Sequence, residues 1–454
     1  MKIAAKKSTL SGRIMVPASK SHTIRALLLA AMAEGTSHIK NPLKSADCLS
    51  TGKVLPLIGA EVSMEGEGTE SVWTVKGAGK NMHLPEDVVN VGDSGSLLYF
   101  LSAIASTFEG WSVFTGDESI RRRPVHHVAE ALSQLGAECH ITRPGEKSCP
   151  LLIKGPVSSG KVVTAGEVSS QYISGLMMAA LRVSGGIEIE LTNPKETPYL
   201  TMTQKWLEET GASVYISPDF KKIKVDGVHE IKAFDKTVPS DWEAVAFPLV
   251  AAVITGSSIV IEGVDSSGTQ GDDAVVAVLE SLGAKIDWNK EDGTLTVHKA
   301  SRLSTEKLPG GELRVKISPF PDAICALAVA ACFTEGRVVI EDAAVCRRKE
   351  TDRIKVMTSI LRSLGADVEE GEDFMIINGH SPYLSDGSVN PEFKLHGGNV
   401  ESHDDHRIAM SLACLALALP EGEEIVINNA ECCAVSFPDF YNVMNKIGTG
   451  FKEV

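Results

Sequence analysis

The chain is poor in several features that would place it in a special class of protein. Only 5% of its 454 residues are aromatic, and no apolar run reaches the ~18 residues that a membrane helix requires. None of the nine cysteines belongs to a Cys-x-x-Cys pair, so a zinc site is not indicated and reduced thiols are expected. The basic start has no apolar stretch after it, which argues against a signal peptide. We therefore expect a cytoplasmic protein without a membrane span.

Positive charge is also scarce. The 44 lysines and arginines are outnumbered by 59 acidic residues, for a formal net charge of −15. Binding to nucleic acid depends on neutralising phosphates, so this balance disfavours a nucleic-acid partner. It leaves room for small anionic substrates, which need only a local cluster of cations in a cleft.

What the sequence does contain is a repeat. A motif of the form Leu-x-x-Leu-Gly-Ala recurs with variations, each copy roughly 72 to 83 residues after the previous one. Each copy is typical of a helix that ends at a glycine and is followed by a strand. The copies occupy residues 55–60, 132–137, 207–212, 279–284, 361–366 and, in a weaker form, 444–449.

A second series keeps the same spacing. Six segments rich in Ala, Leu and Val are apolar on nearly all faces, which is typical of buried helices. They begin near Lys20, Ser94, Ser169, Asp241, Asp322 and Asp405.

Together the two series predict an α/β protein of six repeated units, three in each of two domains. The length alone also favours two domains. Pro17 and Pro239 stand in matching contexts just before a buried helix, so we expect the chain to cross between domains there. The predicted domains are 19–238, and 1–18 together with 239–454.

The starts of the buried helices carry polar and charged residues. Free N–H groups and the positive end of the helix dipole make such starts suitable for binding anions. Serine and aspartate at these positions are equally explained by ordinary N-capping. Lys20, Gln171 and Arg407 are not capping residues, so a charged cleft is the stronger interpretation.

Two other interpretations of these segments are weak. Ser19, Lys20 and Ser21 resemble the end of a phosphate-binding loop, but the glycines required upstream are missing. The run from His403 to His406 lacks a third metal ligand, so no metal site is predicted. The charged run 349–353 is also compatible with a solvated helix face.

Several motifs, in order along the chain, resemble those of the 5-enolpyruvylshikimate 3-phosphate (EPSP) synthase family. The segment 17–25, Pro-Ala-Ser-Lys-Ser-His-Thr-Ile-Arg, is similar to the family's first signature, and 347–353, Arg-Arg-Lys-Glu-Thr-Asp-Arg, to its second. The segments 116–124, 169–171, 320–323 and 405–407 match as well. The matches span nearly the whole chain.

The resemblance implies a fold and a reaction. The fold is an inside-out α/β barrel in two globular halves, with the active site in the cleft between them. The enzyme, a carboxyvinyltransferase of the shikimate pathway to aromatic amino acids, moves the enolpyruvyl group of phosphoenolpyruvate to the 5-hydroxyl of shikimate 3-phosphate and releases phosphate. Addition and then elimination pass through a tetrahedral intermediate. No metal or organic cofactor is implied, and we expect a monomer.

The resemblance also implies roles for individual residues. Lys20 would lie between the substrates, Arg25 would bind the shikimate carboxylate, and Arg123 would hold the donor phosphate. Asp322 would accept the hydroxyl proton. Glu350 would exchange the proton at the methylene carbon of the donor.

The remaining residues would complete the anion sites. Ser169 and Ser170 would hold the acceptor phosphate, with Gln171 beside them. Arg353 and Arg407 would bind the enolpyruvyl carboxylate. Other residues that would assist catalysis or binding are Ser21, Gly95, Tyr199, Lys349 and His406.

Four positions depart from the family pattern. An asparagine and an arginine of the family appear here as Asp93 and Tyr99, and a lysine near the C-terminus as Val435. A serine that helps to bind the acceptor phosphate appears as Glu196 or Thr197, depending on alignment. One ion pair at 4 Å is worth about 4 kcal/mol at an effective dielectric constant of 20, so the donor pocket should be weakened.

The departures leave alternatives open. Arg121, Arg122 and Arg348 could compensate for the lost cations, or they could be ordinary surface charges. The chain could be a paralogue that acts on another hydroxyl, such as that of a nucleotide or sugar phosphate, or a non-catalytic binding protein. The response to glyphosate, which inhibits this family, is not predicted because the altered run 93–99 borders its site.

Overall fold

The computed structural model describes residues 1–66, 70–227, 230–299, 302–384 and 386–454. The chain forms two compact units. The first, here called the continuous unit, is Ala18–Pro239. The second, the split unit, joins Met1–Pro17 to Ser240–Val454.

The continuous unit alternates helices with short strands. Its helices are α1 (Lys20–Met32), α2 (Ala46–Val54), α3 (Gly95–Ala105), α4 (His126–Gln134), α5 (Ser170–Ala180) and α6 (Thr197–Glu209). Its strands are β3 (Glu34–Lys40), β4 (Glu61–Glu65), β5 (Val72–Ala78), β6 (Val89–Asn90), β7 (Gly110–Thr115), β8 (Glu138–Ile141), β9 (Leu151–Gly155), β10 (Gly160–Ala165), β11 (Ile187–Thr192), β12 (Val214–Ile216), β13 (Lys222–Val225) and β14 (Asp235–Thr237).

The split unit has the same alternation. Its helices are α7 (Trp242–Ile254), α8 (Ala274–Ser281), α9 (Ile324–Cys332), α10 (Arg353–Ser363), α11 (His406–Ala416) and α12 (Phe440–Asn445). Its strands are β1 (Lys2–Lys6), β2 (Ser11–Met15), β15 (Ser258–Glu262), β16 (Lys285–Asn289), β17 (Thr294–His298), β18 (Leu303–Ser304), β19 (Glu312–Lys316), β20 (Thr334–Glu341), β21 (Asp367–Glu370), β22 (Met375–Gly379), β23 (Gly398–Glu401), β24 (Glu424–Asn428) and β25 (Lys452–Glu453).

Each of the six sheets in the described part of the chain has one pattern, a parallel pair followed by two antiparallel pairs. In the continuous unit the orders are β14-β3-β5-β4, β6-β7-β9-β8 and β10-β11-β13-β12. In the split unit they are β2-β15-β17-β16, β19-β20-β22-β21 with β18 also parallel to β20, and β23-β24-β1-β25. The prediction of six repeated α/β units is confirmed.

The repeated glycines end helices, as their spacing predicts. All six have positive φ angles between 91° and 104°. A side chain is disfavoured in this left-handed region, so glycine is the residue that stops a helix there at little cost. They are Gly59, Gly136, Gly211, Gly283, Gly365 and Gly448.

Each unit has its own hydrophobic core around three buried helices. In the continuous unit α1, α3 and α5 are buried along most of their length, and α3 packs against both others. In the split unit α7, α9 and α11 pack against one another. The apolar residues on all faces of these helices are therefore buried in the cores. Only the ends of the helices can present polar side chains to a ligand.

Within the described residues, no helix is both long enough and apolar enough to cross a bilayer. The same residues contain no cluster of three or more histidine, cysteine and acidic side chains arranged to hold a metal ion.

Candidate active site

The three buried helices of the continuous unit begin with serine caps, and a side-chain contact joins the starts of two of them. Ser19, Ser94 and Ser169 cap α1, α3 and α5, and each hydroxyl accepts a backbone N–H of its own helix. The amide of Gln171 on α5 donates to the hydroxyl of Ser96 on α3 at 3.0 Å. Serine caps are neutral, so the positive ends of these helices stay uncompensated by their own caps.

Lys20 faces two acidic side chains at this end of the unit. Its Nζ lies 3.3 Å from the Oδ2 of Asp47, which is buried on α2. Burial and the neighbouring Asp47 raise the pKa of Asp93, just before α3, to about 7, although Lys20 opposes the shift. A carboxyl group with so high a pKa can keep its proton near neutral pH and then donate a hydrogen bond.

Arg25 lies one turn along α1 with a side chain that is only 2% exposed. Its Nε donates to Thr203 Oγ1 at 2.9 Å, and its Nη1 donates to the carbonyl of Ser21 at 3.0 Å. Among the described residues no carboxylate lies within ion-pair distance of the guanidinium. Burial lowers the pKa of Arg25 to about 9, which expresses the cost of a buried cation without a counter-ion.

Arg123 extends across the start of α3. A Cβ atom at Gly95 would overlap the Nη1 of Arg123 and would lie 3.5 Å from the Oε1 of Gln171. A side chain at position 95 would therefore displace the guanidinium of Arg123 from the start of α3. This contact brings Gly95, Arg123 and Gln171 into one group.

The start of α5 is occupied by a carboxylate. Oε2 of Glu196 accepts the backbone N–H of Ser170 at 2.8 Å and the Ser170 hydroxyl at 3.0 Å. Of the two alignments left open by the sequence, the structure therefore places Glu196 rather than Thr197 against the serines. Tyr199, one turn further along α6, is buried, and its carbonyl lies 3.4 Å from Nη2 of Arg25.

Tyr99 replaces the family's arginine with a different contact. Its hydroxyl donates to the carbonyl of Pro124 at 2.8 Å, and its ring lies 5.2 Å from that of His127. Arg121, Arg122 and Arg348 are exposed. Arg122 forms an ion pair at 2.7 Å with Glu118, an exposed residue of its own loop.

In the split unit the charged residues converge on Arg353, which is fully buried at the first position of α10. Its Nε donates to Asp405 at 2.9 Å, its Nη1 to Asp322 at 2.6 Å, and its Nη2 to Glu350 at 2.6 Å. Nη2 also donates to Asp405 at 3.2 Å. The three carboxylates raise the pKa of Arg353 well above its ordinary value, against the effect of burial.

Asp322 is held as a carboxylate. Lys349 Nζ lies 3.3 Å from Oδ2 of Asp322, opposite the contact with Arg353. Burial alone would raise the pKa of Asp322, but the charges of Lys349 and Arg353 outweigh it and hold the pKa well below its usual range. An ionised aspartate between two cations can accept a proton only if one of the cations moves or is neutralised by a ligand.

Arg407 and His406 form the first turn of α11 and are both almost fully buried. The guanidinium of Arg407 pairs with Glu243, in the first turn of α7, and lies 3.7 Å from Asp322. Contacts therefore connect the starts of α7 and α11 with the turn that precedes α9. Val435 ends a short 3₁₀ turn and contributes no charge.

Within each unit the predicted site residues lie together. Lys20, Ser21 and Arg25 lie in the first two turns of α1, and the contacts above connect the other predicted residues of that unit in small groups. Three acidic partners were not identified as site residues from the sequence. They are Asp47, Glu243 and Asp405. The sequence contains a signal only for Asp405, which belongs to the motif 405–407. It contains none for Asp47 and Glu243, because they are distant along the chain from the cations that they contact.

Comparison with known proteins gives one family. The model of the family "EPSP synthase (3-phosphoshikimate 1-carboxyvinyltransferase)" matches residues 4–444. The chain is 37% identical to the 3-phosphoshikimate 1-carboxyvinyltransferase of Acetivibrio thermocellus, covering 99% of this chain and 98% of the relative. It is 32% identical to that of Methanococcus maripaludis strain C5, over the full length of both. The solved structure of EPSP synthase from Acinetobacter baumannii superposes with a TM-score of 0.79 at 28% identity, over all of both chains. The chain therefore belongs to the EPSP synthase family.

Proposed function

We propose that this chain transfers the enolpyruvyl group of phosphoenolpyruvate to the 5-hydroxyl of shikimate 3-phosphate and releases phosphate. It is a 3-phosphoshikimate 1-carboxyvinyltransferase by its full-length family match. The structural observation that carries the proposal is that, within each unit, the helix starts that bear the family motifs converge and bring buried cations together. Both substrates are multiply anionic, so fixed cations are what the reaction needs.

The acceptor is assigned to the continuous unit. Arg25 would bind its carboxylate, since a buried guanidinium without a carboxylate partner among the described residues is prepared for an external one. Ser169, Ser170 and Gln171 would bind its phosphate at the positive end of α5. Tyr199 and Ser21 would line the same site, because both contact Arg25 through their carbonyl groups.

The donor is assigned to four cationic site residues. Arg123, with Gly95 beneath it, would hold the phosphate, and Lys20 would lie between donor and acceptor. Arg353 and Arg407 would bind the carboxylate of phosphoenolpyruvate. Planar guanidinium groups suit this task because they bind carboxylates and phosphates through two parallel hydrogen bonds.

Protons are assigned to two carboxyl groups. Asp322, held ionised by its neighbours, would accept the proton of the acceptor hydroxyl as its oxygen bonds to C2 of the donor. Glu350 would exchange a proton with the methylene carbon, delivering it in the addition and removing it when the C–O bond to phosphate breaks. Lys349 and His406 would assist, Lys349 through its contact with Asp322.

A cytoplasmic monomer with small-molecule partners is part of the proposal. All nine cysteines are free of disulfides and most are buried, as expected in a reducing compartment.

The function is tested by mixing the purified chain with phosphoenolpyruvate and shikimate 3-phosphate and following phosphate release and the enol ether product. We expect stoichiometric formation of both. Release with another hydroxyl acceptor, and none with shikimate 3-phosphate, would instead identify a paralogue.

A further inference from the structure

Glu196 performs an unusual structural task. It stands just before α6, yet its carboxylate caps the neighbouring helix α5 by accepting two hydrogen bonds from Ser170. The next N–H of α5, that of Gln171, is accepted by the hydroxyl of Ser169 at 3.1 Å. The N–H groups of Ser170 and Gln171 and the Ser170 hydroxyl are thus already satisfied by the protein's own oxygen atoms.

The loop that carries Glu196 is held firmly at its backbone. The N–H of Gly166, ahead of α5, donates to the carbonyl of Thr192 at 2.6 Å, and the N–H of Lys195 donates back to Gly166 at 3.2 Å. A Cβ at Gly166 would lie 2.6 Å from the Cα of Pro194, so the two segments are in direct backbone contact. Glu196 itself has a positive φ of 50° and is 3% exposed. Rotation of the side chain is enough to take its carboxylate away from Ser170 while these backbone contacts stay in place.

We propose that Glu196 is a specificity-determining residue, an internal anion that competes with the acceptor's phosphate for the donors of Ser170. This inference rests on the proposed function, which puts that phosphate at the start of α5. Two anions cannot share one pair of donors, and the carboxylate must rotate away before a phosphate takes its place. The chain consequently prefers a phosphorylated acceptor over an unphosphorylated one less strongly than it would if Ser169 and Ser170 were free of this carboxylate.

The proposal is tested by direct binding, without the donor. Shikimate 3-phosphate and unphosphorylated shikimate are titrated by calorimetry into the full-length wild-type chain, Glu196→Gln and Glu196→Ser. Glutamine keeps an oxygen acceptor for Ser170 but removes the charge, whereas serine vacates the position. We expect Kd for shikimate 3-phosphate to fall about tenfold or more in both variants, while Kd for shikimate changes less than about twofold.

Glu188→Gln is the matched control. Glu188 is an exposed residue of β11 in the same unit, and its removal changes the net charge equally. An unchanged Kd in this variant supports a local effect of Glu196. An equal fall in Glu188→Gln would overturn the proposal, because the cause would then be the general field of the protein.

Two further results would contradict it. Kd for shikimate 3-phosphate that stays the same or rises in folded Glu196→Gln would show that Glu196 does not compete. An equal gain for both acceptors would show that Glu196 shapes the pocket without distinguishing the phosphate. Thermal melting of each variant shows whether it folds. If either the serine or the glutamine variant fails to fold, the other one still tests the proposal.

Phosphate release separates this inference from the proposed function. If all variants bind shikimate 3-phosphate as expected but none releases phosphate with phosphoenolpyruvate, the function fails and the role of Glu196 stands. If release is normal and the KM for shikimate 3-phosphate is unaffected by Glu196→Gln, the role of Glu196 fails and the function stands.

Discussion

The two units share one topology but differ in how their buried helices begin. The helix starts of the continuous unit are capped by serines, whereas α7 and α11 of the split unit are capped by Asp241 and Asp405. A serine cap adds no charge to the helix end, and at α5 the carboxylate comes instead from Glu196. An aspartate cap, in contrast, neutralises the end and brings its own carboxylate to nearby cations. The same fold thus contains two different buried arginines. Arg25, in the continuous unit, has no carboxylate partner among the described residues, whereas Arg353, in the split unit, contacts three carboxylates.

The difference teaches what each unit is suited to do. In the split unit the cations Lys349, Arg353 and Arg407 share carboxylates, one of which, Asp322, lies close to all three. The guanidinium of Arg25 in the continuous unit donates only to neutral oxygen atoms in the described structure and lies over the ring of Phe100. Under the proposed function, the proton acceptor would lie in the split unit and the acceptor site in the continuous unit.

The largest expected effect is on turnover. Asp322→Ala and Glu350→Ala should each lower kcat by about 10²- to 10⁴-fold, because a positioned acid or base contributes that much to a reaction. The measurement is phosphate release under saturating substrates. Asp367→Asn, an exposed change on β21 in the same unit, is the control and should leave kcat unchanged. Near-normal turnover in either alanine variant would remove that residue from the proton assignment.

The second effect concerns stability and tests the contrast between the two arginines. Arg353→Met should lower the free energy of unfolding by about 3–5 kcal/mol, because it leaves buried carboxylates without their cation. Arg25→Met should change it by only about 1 kcal/mol, since the groups around Arg25 in the described structure are neutral. Both are measured by chemical denaturation at pH 7. Equal losses in the two variants would mean that the charge environments do not differ as the contacts indicate.

The third effect depends on pH. The pKa of Asp93 is about 7 in the folded protein, whereas an aspartate in an unfolded chain titrates near 4. The folded state therefore keeps a proton that the unfolded state releases, and Asp93 makes the protein less stable as the pH rises from about 4 to 7. Asp93→Asn should relieve this by on the order of 2 to 4 kcal/mol at pH 8 and by little at pH 4.

Thermal melting of Asp93→Asn and wild type across this pH range checks the prediction. Glu188→Gln, which removes an exposed carboxylate of the same unit, should show no such pH-dependent gain. A constant difference in Tm between pH 4 and pH 8 would be incompatible with a shared proton near Lys20 and Asp47.

The smallest effect is expected at the surface. Arg122→Ala removes an exposed ion pair with Glu118, and such pairs contribute little. The KM for phosphoenolpyruvate should stay within about twofold of the wild-type value in a steady-state assay. A large rise in KM would show that Arg122 does replace one of the cations missing from the donor site.

Much of the fold was predictable because it is repetitive. The six glycines and six apolar helices each recur with nearly the same spacing, and two independent series with one period exclude a chance pattern. The family, the activity and the six-unit fold inferred from these patterns and motifs are confirmed. The roles of individual site residues and the domain boundaries remain predictions.

The ion partners were not predictable in the same way. Lys20 meets Asp47, Arg407 meets Glu243, and Ser170 meets Glu196, and none of these pairs is recognisable from its spacing. Each pair joins the start of a helix to a different segment of the same unit. Which acidic residue arrives there depends on how the helices pack, and no local pattern encodes that.

By itself, then, the sequence determined the repeat, the buried helices and the position of polar residues at their starts, because these follow from apolar periodicity and helix-ending glycines. Only the tertiary structure decided which charges are neutralised. In the sequence alone, Glu196 and Glu243 cannot be distinguished from other acidic residues. Such a residue becomes the partner of another helix only when packing brings it within 3 Å of a donor at the start of that helix, as for Glu196 and Ser170.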